Sequence, residues 1–191
     1  MLWETGRIVN GDMTTFARLV NAGIQGVRDG SGHHVPPVMV HIAKTGDAAA
    51  TLAWYQAFQK AGGQFDVIGL SYYPMWHGDL SNVADTVRTL RAAYPRTPVM
   101  LAETAYYWDQ NQKNYTAAET PYPQTPAGQL QFLRDLKRTI RGAGGQGIFY
   151  WGAFWSQSSK WLTSGWTDDD ASRRALFDDG AKATPAIDGL N

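Results

Sequence analysis

The chain has 191 residues, enough for one ordinary domain with a sizeable core. Lys plus Arg and Asp plus Glu number 17 each, so the net charge is zero and no basic face is offered to nucleic acid or to an anionic membrane. Cysteine is absent, which excludes a disulfide framework and a thiolate metal site, and no apolar run approaches the roughly 18 residues of a membrane span.

Residues 1–12 (MLWETGRIVNGD) have neither the basic start nor the apolar stretch of a signal peptide. A first helix is then expected, entered at Asp12 or Thr14 and closed near Gly30, with Phe16, Leu19, Val20, Ile24 and Val27 on one face. The run Val38–Ala43 (VMVHIA) reads as a buried strand. After it, Leu52, Tyr55 and Phe58 line a helix that stops at Gly62–Gly63. Val67–Tyr73 (VIGLSYY) is a second strand, followed by a helix lined by Val83, Val87, Leu90 and Tyr94 with Ser81 as N-cap. Val99–Glu103 (VMLAE) is a third strand. The next helix has a threonine–proline start at Thr125–Pro126, an apolar face of Leu133, Leu136 and Ile140, and a glycine stop at Gly142. Gly147–Trp151 (GIFYW) is a fourth strand, followed by a tail.

None of the four strands alternates cleanly, as expected for parallel strands covered on both faces. Strands recurring at roughly 30-residue intervals with helices between them predict βα units, a parallel sheet and right-handed crossovers. No strand leads into a GxGxxG or GxxxxGK[ST] loop, so the nucleotide-binding version of such a sheet lacks its usual support. Chemistry-bearing residues sit instead at the C-terminal strand ends, where a (β/α)8 barrel builds its site. A barrel needs eight strands and about 250 residues. The fold expected is therefore α/β: about strands 5–8 of a TIM barrel, with residues 1–191 forming one partial domain that lacks the N-terminal strands.

Glu103 ends an apolar strand and precedes Tyr106, Tyr107 and Trp108. A carboxylate at a barrel mouth among aromatics suits glycoside cleavage, which needs a carboxylate beside the anomeric carbon; a strand-end glutamate paired with a basic residue is the plainer alternative. Tyr72 and Tyr73 end the preceding strand in SYYPMWHG. A tyrosine there can donate its hydroxyl to the carboxylate, orienting it and favouring its charged form. Alternation turns one of the two inward, and Tyr73, which shares the face of Ser71, is the better candidate. With eight Trp and nine Tyr the chain is rich in flat rings, which either pack the core or stack on sugar faces. Trp151 is the natural floor for a sugar ring, with Trp155 and Trp161 as further candidates. His41 ends its strand, and His77 lies with Trp76 in a Pro/Trp/Gly loop; neither has the spacing of a metal-binding pair. Asp168–Asp170 lacks the calcium-loop pattern and reads as a solvated turn or helix cap.

Taken together, MLW, FARLVNAGIQGVRD, DVIGLSYYPMWHG, LAETAYYW, GQLQFLRDL, GIFYWGAFW and ALFDDGAKATPAI span the whole chain in order. This series resembles glycoside hydrolase family 53, the arabinogalactan endo-β-1,4-galactanases, in the clan of retaining (β/α)8-barrel glycosidases. The resemblance implies that Glu103 is the nucleophile and that the substrate is a galactan or arabinogalactan; from their places at strand ends and in the loops beside them, His41, Tyr72, Tyr73, Trp76, His77, Tyr106, Trp108 and Trp151 are expected to meet it. It implies an acid/base glutamate in an Asn–Glu pair a few residues ahead of Leu2–Trp3, outside these residues; Glu4, after that pair, is not its substitute. The partner required is then the N-terminal half of the barrel, and the full-length parent is expected to be an extracellular or periplasmic bacterial enzyme.

Two features depart from the family pattern. The fourth strand ends Tyr150–Trp151–Gly152–Ala153 where the family has a motif like YWEP. The loop from Asp109 to about Thr125, where bacterial relatives hold calcium, offers Asp109, Asn111 and Asn114 without a recognisable ligand pattern; no other metal or cofactor is expected. Two other readings stay open: a catalytically inactive carbohydrate-binding or assembly module, and a related clan enzyme acting on another β-glycan.

Overall fold

The computed structural model describes residues 8–110, 115–156 and 169–190. In chain order these form α1 (Thr14–Gly30), β1 (Met39–Ile42), α2 (Ala48–Lys60), β2 (Val67–Ser71), the short α3 (Pro74–His77), α4 (Leu80–Ala93), β3 (Val99–Thr104), α5 (Pro126–Gly142), β4 (Ile148–Tyr150), the short α6 (Asp169–Ser172) and a 3-10 turn (Pro185–Gly189). The four strands make one parallel sheet in the order β1-β2-β3-β4. Each neighbour in the sheet is the next strand in sequence, as βα units wound in one direction require.

The helix side of the sheet is the core. Val40, Ile68, Leu70, Val99 and Leu101 are buried against Tyr55 and Phe58 of α2, Val83, Val87 and Leu90 of α4, and Phe132, Leu133, Leu136 and Ile140 of α5. Tyr55 joins this layer to the sheet, its hydroxyl lying 2.8 Å from the Val40 carbonyl oxygen and 2.9 Å from that of Gly69. A Cβ on Gly69 would meet Met39 and His41, so these three residues share the opposite, inner face. Phe149 is 54% exposed, whereas its neighbours Ile148 and Tyr150 are partly buried and pack on the core.

Helix boundaries follow local chemistry. Asp47 caps α2 by accepting from the Ala50 amide, and Thr125 caps α5 by accepting from Gly128, with Pro126 in the first turn as the sequence predicts. The cap of α4 is Asp79, which accepts from Ser81, rather than Ser81 itself; the carboxylate two residues earlier reaches the free Ser81 amide. The stripe on α1 is narrower than its periodicity suggests. Phe16 packs on Trp54 and Phe58 and Ile24 is buried, while Leu19 on the flank and Val27 in the last turn are exposed. The second strand is shorter than expected because Pro74 starts α3 directly after Tyr73, turning the chain away from the sheet.

Two glycines in α5 provide opposite tests of this packing. A Cβ on Gly128 would fall 1.8 Å from the Pro123 carbonyl oxygen, whereas one on Gly142 meets nothing within 4 Å. Gly128→Ala should therefore destabilise the chain by about 2 kcal/mol or more. Gly142→Ala should be neutral or stabilise by up to about 1 kcal/mol through a less flexible unfolded chain. Urea unfolding of the two variants checks both signs.

Candidate active site

The inner face of the sheet ends in a hydrogen-bonded cluster. Tyr73 donates its hydroxyl to Glu103 Oε1 at 2.6 Å, and Ser71 donates to Glu103 Oε2 at 3.1 Å. Ser71 has one hydroxyl proton, committed to the carboxylate, so its 2.6 Å contact with His41 is a bond accepted from His41 Nε2–H. That assigns the proton of His41 to Nε2, which also stands 3.8 Å from Glu103 Oε2. The Glu103 side chain is 28% exposed and that of His41 34%, leaving the carboxylate open at the mouth.

Simple alternation would have put Glu103 elsewhere. Val99 and Leu101 are buried in the helix layer, and a residue two further on should join them. The pairing instead shifts by one residue: Leu70 lies opposite Leu101, but Ser71 lies opposite Glu103. The same extra residue on β3 shows on its other side, where Leu101 pairs with Ile148 and Thr104 with Tyr150. This irregularity at Ala102–Glu103 turns the glutamate onto the face of Ser71 and Tyr73. Bulges commonly re-aim a side chain beside an active site.

His77 supports the cluster from behind. Its Nδ1 accepts from the Tyr73 amide at 2.9 Å, and its carbonyl accepts from Asn82 at 3.0 Å. Burial lowers the pKa of His77 and of His41 below the ordinary 6.5, with Glu103 opposing the shift in each case. Burial also raises the Tyr73 phenol above its ordinary value, reinforced by Glu103 and opposed by Arg174, so Tyr73 remains a donor.

Not every aromatic expected at the site is there. Tyr72 is buried in the helix layer, near-parallel to Phe132, with its hydroxyl donated to the Gly78 carbonyl. Tyr106 likewise stacks on Phe132 and donates to the Tyr122 carbonyl. Strand parity sends Tyr72 to the side opposite Tyr73, and both Tyr72 and Tyr106 belong to the wall behind the cleft. Trp108 is a strut: its indole donates to the Ser172 carbonyl and its amide to that of Arg173. Trp76, 56% exposed, meets Tyr73 edge-on, and Trp151 meets Trp155 edge-on at 4.4 Å. Trp161 lies outside the described residues, as do Leu2, Trp3, Glu4, Asn111, Asn114 and Asp168.

Arg174 was not anticipated. It is 4% exposed, and its guanidinium lies over Tyr73, Trp76, Tyr107 and Trp151. No local signal marks it: the arginine pair in ASRRALF lies between Asp168–Asp170 and Asp178–Asp179, the company a solvated pair would keep. In the loop after β3, Asp109 is paired with Arg173 at 2.6 Å. Among the described residues no group of three or more His, Cys, Asp or Glu is placed to hold a metal ion. Among them, too, no helix is long and apolar enough to cross a membrane.

A carboxylate clasped by tyrosine and serine at the C-terminal edge of a parallel βα sheet, with tryptophans alongside, is the layout of a (β/α)8-barrel glycoside hydrolase. The sequence profile of glycosyl hydrolase family 53 matches residues 1–190, and the chain belongs to that family. An arabinogalactan endo-β-1,4-galactanase of Cellvibrio japonicus is 34% identical over 180 residues, covering 84% of this chain and 47% of the relative. An uncharacterised protein of Niallia circulans is 36% identical over 177 residues, covering 84% and 48%. The chain thus spans about half the length of the curated relatives it matches. The GH53 catalytic domain of Ignisphaera aggregans superposes with a TM-score of 0.85 at 29% identity, covering all of this chain and 55% of that one. A xylanase A in complex with xylopentaose shares the fold alone, with a TM-score of 0.63 at 14% identity. The four strands are about the last four of a (β/α)8 barrel.

The two histidines make stability depend on pH. A histidine held neutral by the fold takes up a proton more readily when unfolded, so its contribution is complete above 6.5 and is lost as pH falls below that value. Urea unfolding at a series of pH values should show stability falling from pH 7 towards pH 5. His77→Gln should flatten that slope.

Proposed function

We propose that this chain carries the nucleophile side of a retaining endo-β-1,4-galactanase, with Glu103 as nucleophile and the acid/base carboxylate supplied by the other half of the barrel. The observation that carries the reading is the Glu103 carboxylate held by Tyr73 and Ser71 at the mouth of the sheet. The galactan specificity rests on similarity to proteins named as arabinogalactan endo-β-1,4-galactanases. A polysaccharide substrate cannot cross a membrane intact, so the parent enzyme works outside the cytoplasm.

In this mechanism a Glu103 oxygen attacks the anomeric carbon while the acid/base carboxyl protonates the departing glycosidic oxygen, giving a covalent glycosyl–enzyme and a shortened chain. Water then attacks the same carbon, the acid/base group takes its proton, and the Glu103–sugar bond breaks with its electron pair returning to the carboxylate. Two displacements retain the configuration. The two carboxyls must stand roughly 5–5.5 Å apart. Tyr73 and Ser71 each bond a different oxygen of Glu103, fixing the plane of the carboxylate while leaving lone pairs for attack. His41 acts through Ser71, and His77 acts through the Tyr73 backbone.

Two measurements test the assignment. The 191-residue chain alone should release negligible reducing sugar from β-1,4-galactan, because general acid assistance worth ~10²–10⁴-fold is missing. Robust turnover by pure material would place the acid within this chain.

Once the barrel is completed by fusion or co-expression, Glu103→Ala should abolish turnover without altering the circular dichroism spectrum. Azide should partly rescue it with an inverted product, because a single displacement replaces two. Tyr73→Phe should lower kcat about 10–100-fold, as expected for one hydrogen bond to a charged group worth ~1.5–3 kcal/mol. Near-full activity of Glu103→Ala would return that residue to a structural role and place the nucleophile elsewhere, whereas no turnover by the completed parent barrel would favour an inactive sugar-binding module.

A further inference from the structure

Arg174 belongs to none of the strands or their immediate loops, yet it is the common neighbour of three strand ends. Its backbone is fixed first. The Arg174 carbonyl accepts from the Tyr150 hydroxyl at 2.6 Å and from Gln129 Nε2 at 3.3 Å, and its amide donates to the Ala171 carbonyl at 3.1 Å. From that anchor the guanidinium carbon lies 5.1 Å from the ring centroid of Trp151, 5.7 Å from that of Tyr107, and 5.9 Å from those of Tyr73 and Trp76. Tyr73 and Trp76 follow β2, Tyr107 follows β3 and Trp151 follows β4.

The faces of aromatic rings carry negative potential, and a flat, weakly hydrated guanidinium is the side chain best suited to serve several of them at once. A lysine ammonium is a compact point charge that holds its water more tightly. The same positive charge opposes the rise in the Tyr73 phenol's pKa, making that hydroxyl a stronger donor to Glu103.

We propose that Arg174 is a positioning residue for the floor of the cleft: its guanidinium holds Trp151, Tyr107 and Trp76 around the Tyr73–Glu103 pair, so that a sugar ring meets a preassembled aromatic surface. The identity of the sugar rests on the galactanase reading above; the assembly of the rings does not.

The test therefore has two arms, both on the 191-residue chain. Near-ultraviolet circular dichroism reads how the aromatic rings are held, the edge-on Trp151–Trp155 pair with its rings 4.4 Å apart among them, without any ligand. Titration calorimetry with β-1,4-galactotetraose reads sugar binding. Arg174→Ala should diminish the near-ultraviolet signal and weaken tetraose binding about tenfold, the scale of one or two desolvated cation–π contacts. Millimolar methylguanidinium should restore both, and methylammonium should restore neither. Arg174→Met, which keeps the apolar volume, should lose both signals while its far-ultraviolet spectrum stays that of the parent.

A wild-type near-ultraviolet spectrum and affinity in Arg174→Met would overturn the proposal. So would failure of methylguanidinium to restore either signal in a folded Arg174→Ala chain. Loss of the far-ultraviolet spectrum in both variants would make Arg174 a residue of the folding core and also overturn it. If the parent chain does not bind tetraose but the near-ultraviolet arm behaves as expected, the assignment of Arg174 stands, and the galactan reading fails only if a completed barrel carrying Glu103→Ala does not bind tetraose either.

Discussion

One extra residue in β3 decides what the mouth of this sheet can do. In a regular strand, Glu103 would share the face of Val99 and Leu101, and its carboxylate would enter the helix layer. A charged group there would lack water and partners, a position that folded chains do not tolerate unpaired. The shift between Leu70 and Ser71 moves the glutamate to the inner face and sets it opposite Ser71. The clasp from Tyr73, the serine bridge to His41 and the partial exposure of the carboxylate all follow from that change of parity. The backbone stays paired: the Tyr72 amide donates to the Glu103 carbonyl and the Trp151 amide to the Thr104 carbonyl, both at 2.8 Å.

Much of the fold was legible because it depends on local signals. Four apolar runs at βα spacing gave four parallel strands, and the Thr125–Pro126 start and Gly142 stop marked α5. Parity also separated Tyr73 from Tyr72. The bulge was not legible, since VMLAE carries no glycine or proline to mark it; its cause lies in pairing with strands on both sides. Arg174 was hidden for a different reason. It reaches the site from a segment about 70 residues beyond Glu103, through contacts that no local pattern encodes. His77 was placed near the site by its loop, but its part there is to hold the Tyr73 backbone, which only the fold reveals.

The assignment of aromatics to cleft or wall has a common cause. Tyr72, Tyr106 and Tyr122 crowd Phe132 of α5, and the hydroxyls of Tyr72 and Tyr106 are spent on backbone carbonyls of loops that emerge beside the mouth. Behind them, buried Gln129 lies within hydrogen-bonding reach of the Tyr106 and Ala175 carbonyls through Nε2 and accepts from Thr184 through Oε1. Loops without regular structure thereby acquire the rigidity of the helix they lean on. A buried polar network of this kind is stabilising only when its members are satisfied, and it fixes one arrangement among several that apolar packing alone would permit.

The two faces of the sheet are therefore built to different rules. The helix face is closed, with aromatic and branched side chains packed against α2, α4 and α5. The inner face presents Met39, Gly69, His41 and Ser71, with Phe149 more than half exposed in the middle of β4. In a complete (β/α)8 barrel, layers of side chains from alternate strands fill that space. Met39 and Phe149 are apolar enough to join such layers, while the polar residues gather at one end, where a barrel keeps its chemistry. The division along a single strand explains why Met39 and His41, two residues apart on β1, serve different purposes. The first faces a volume suited to packing, and the second reaches the rim, where a third of its side chain is open to solvent.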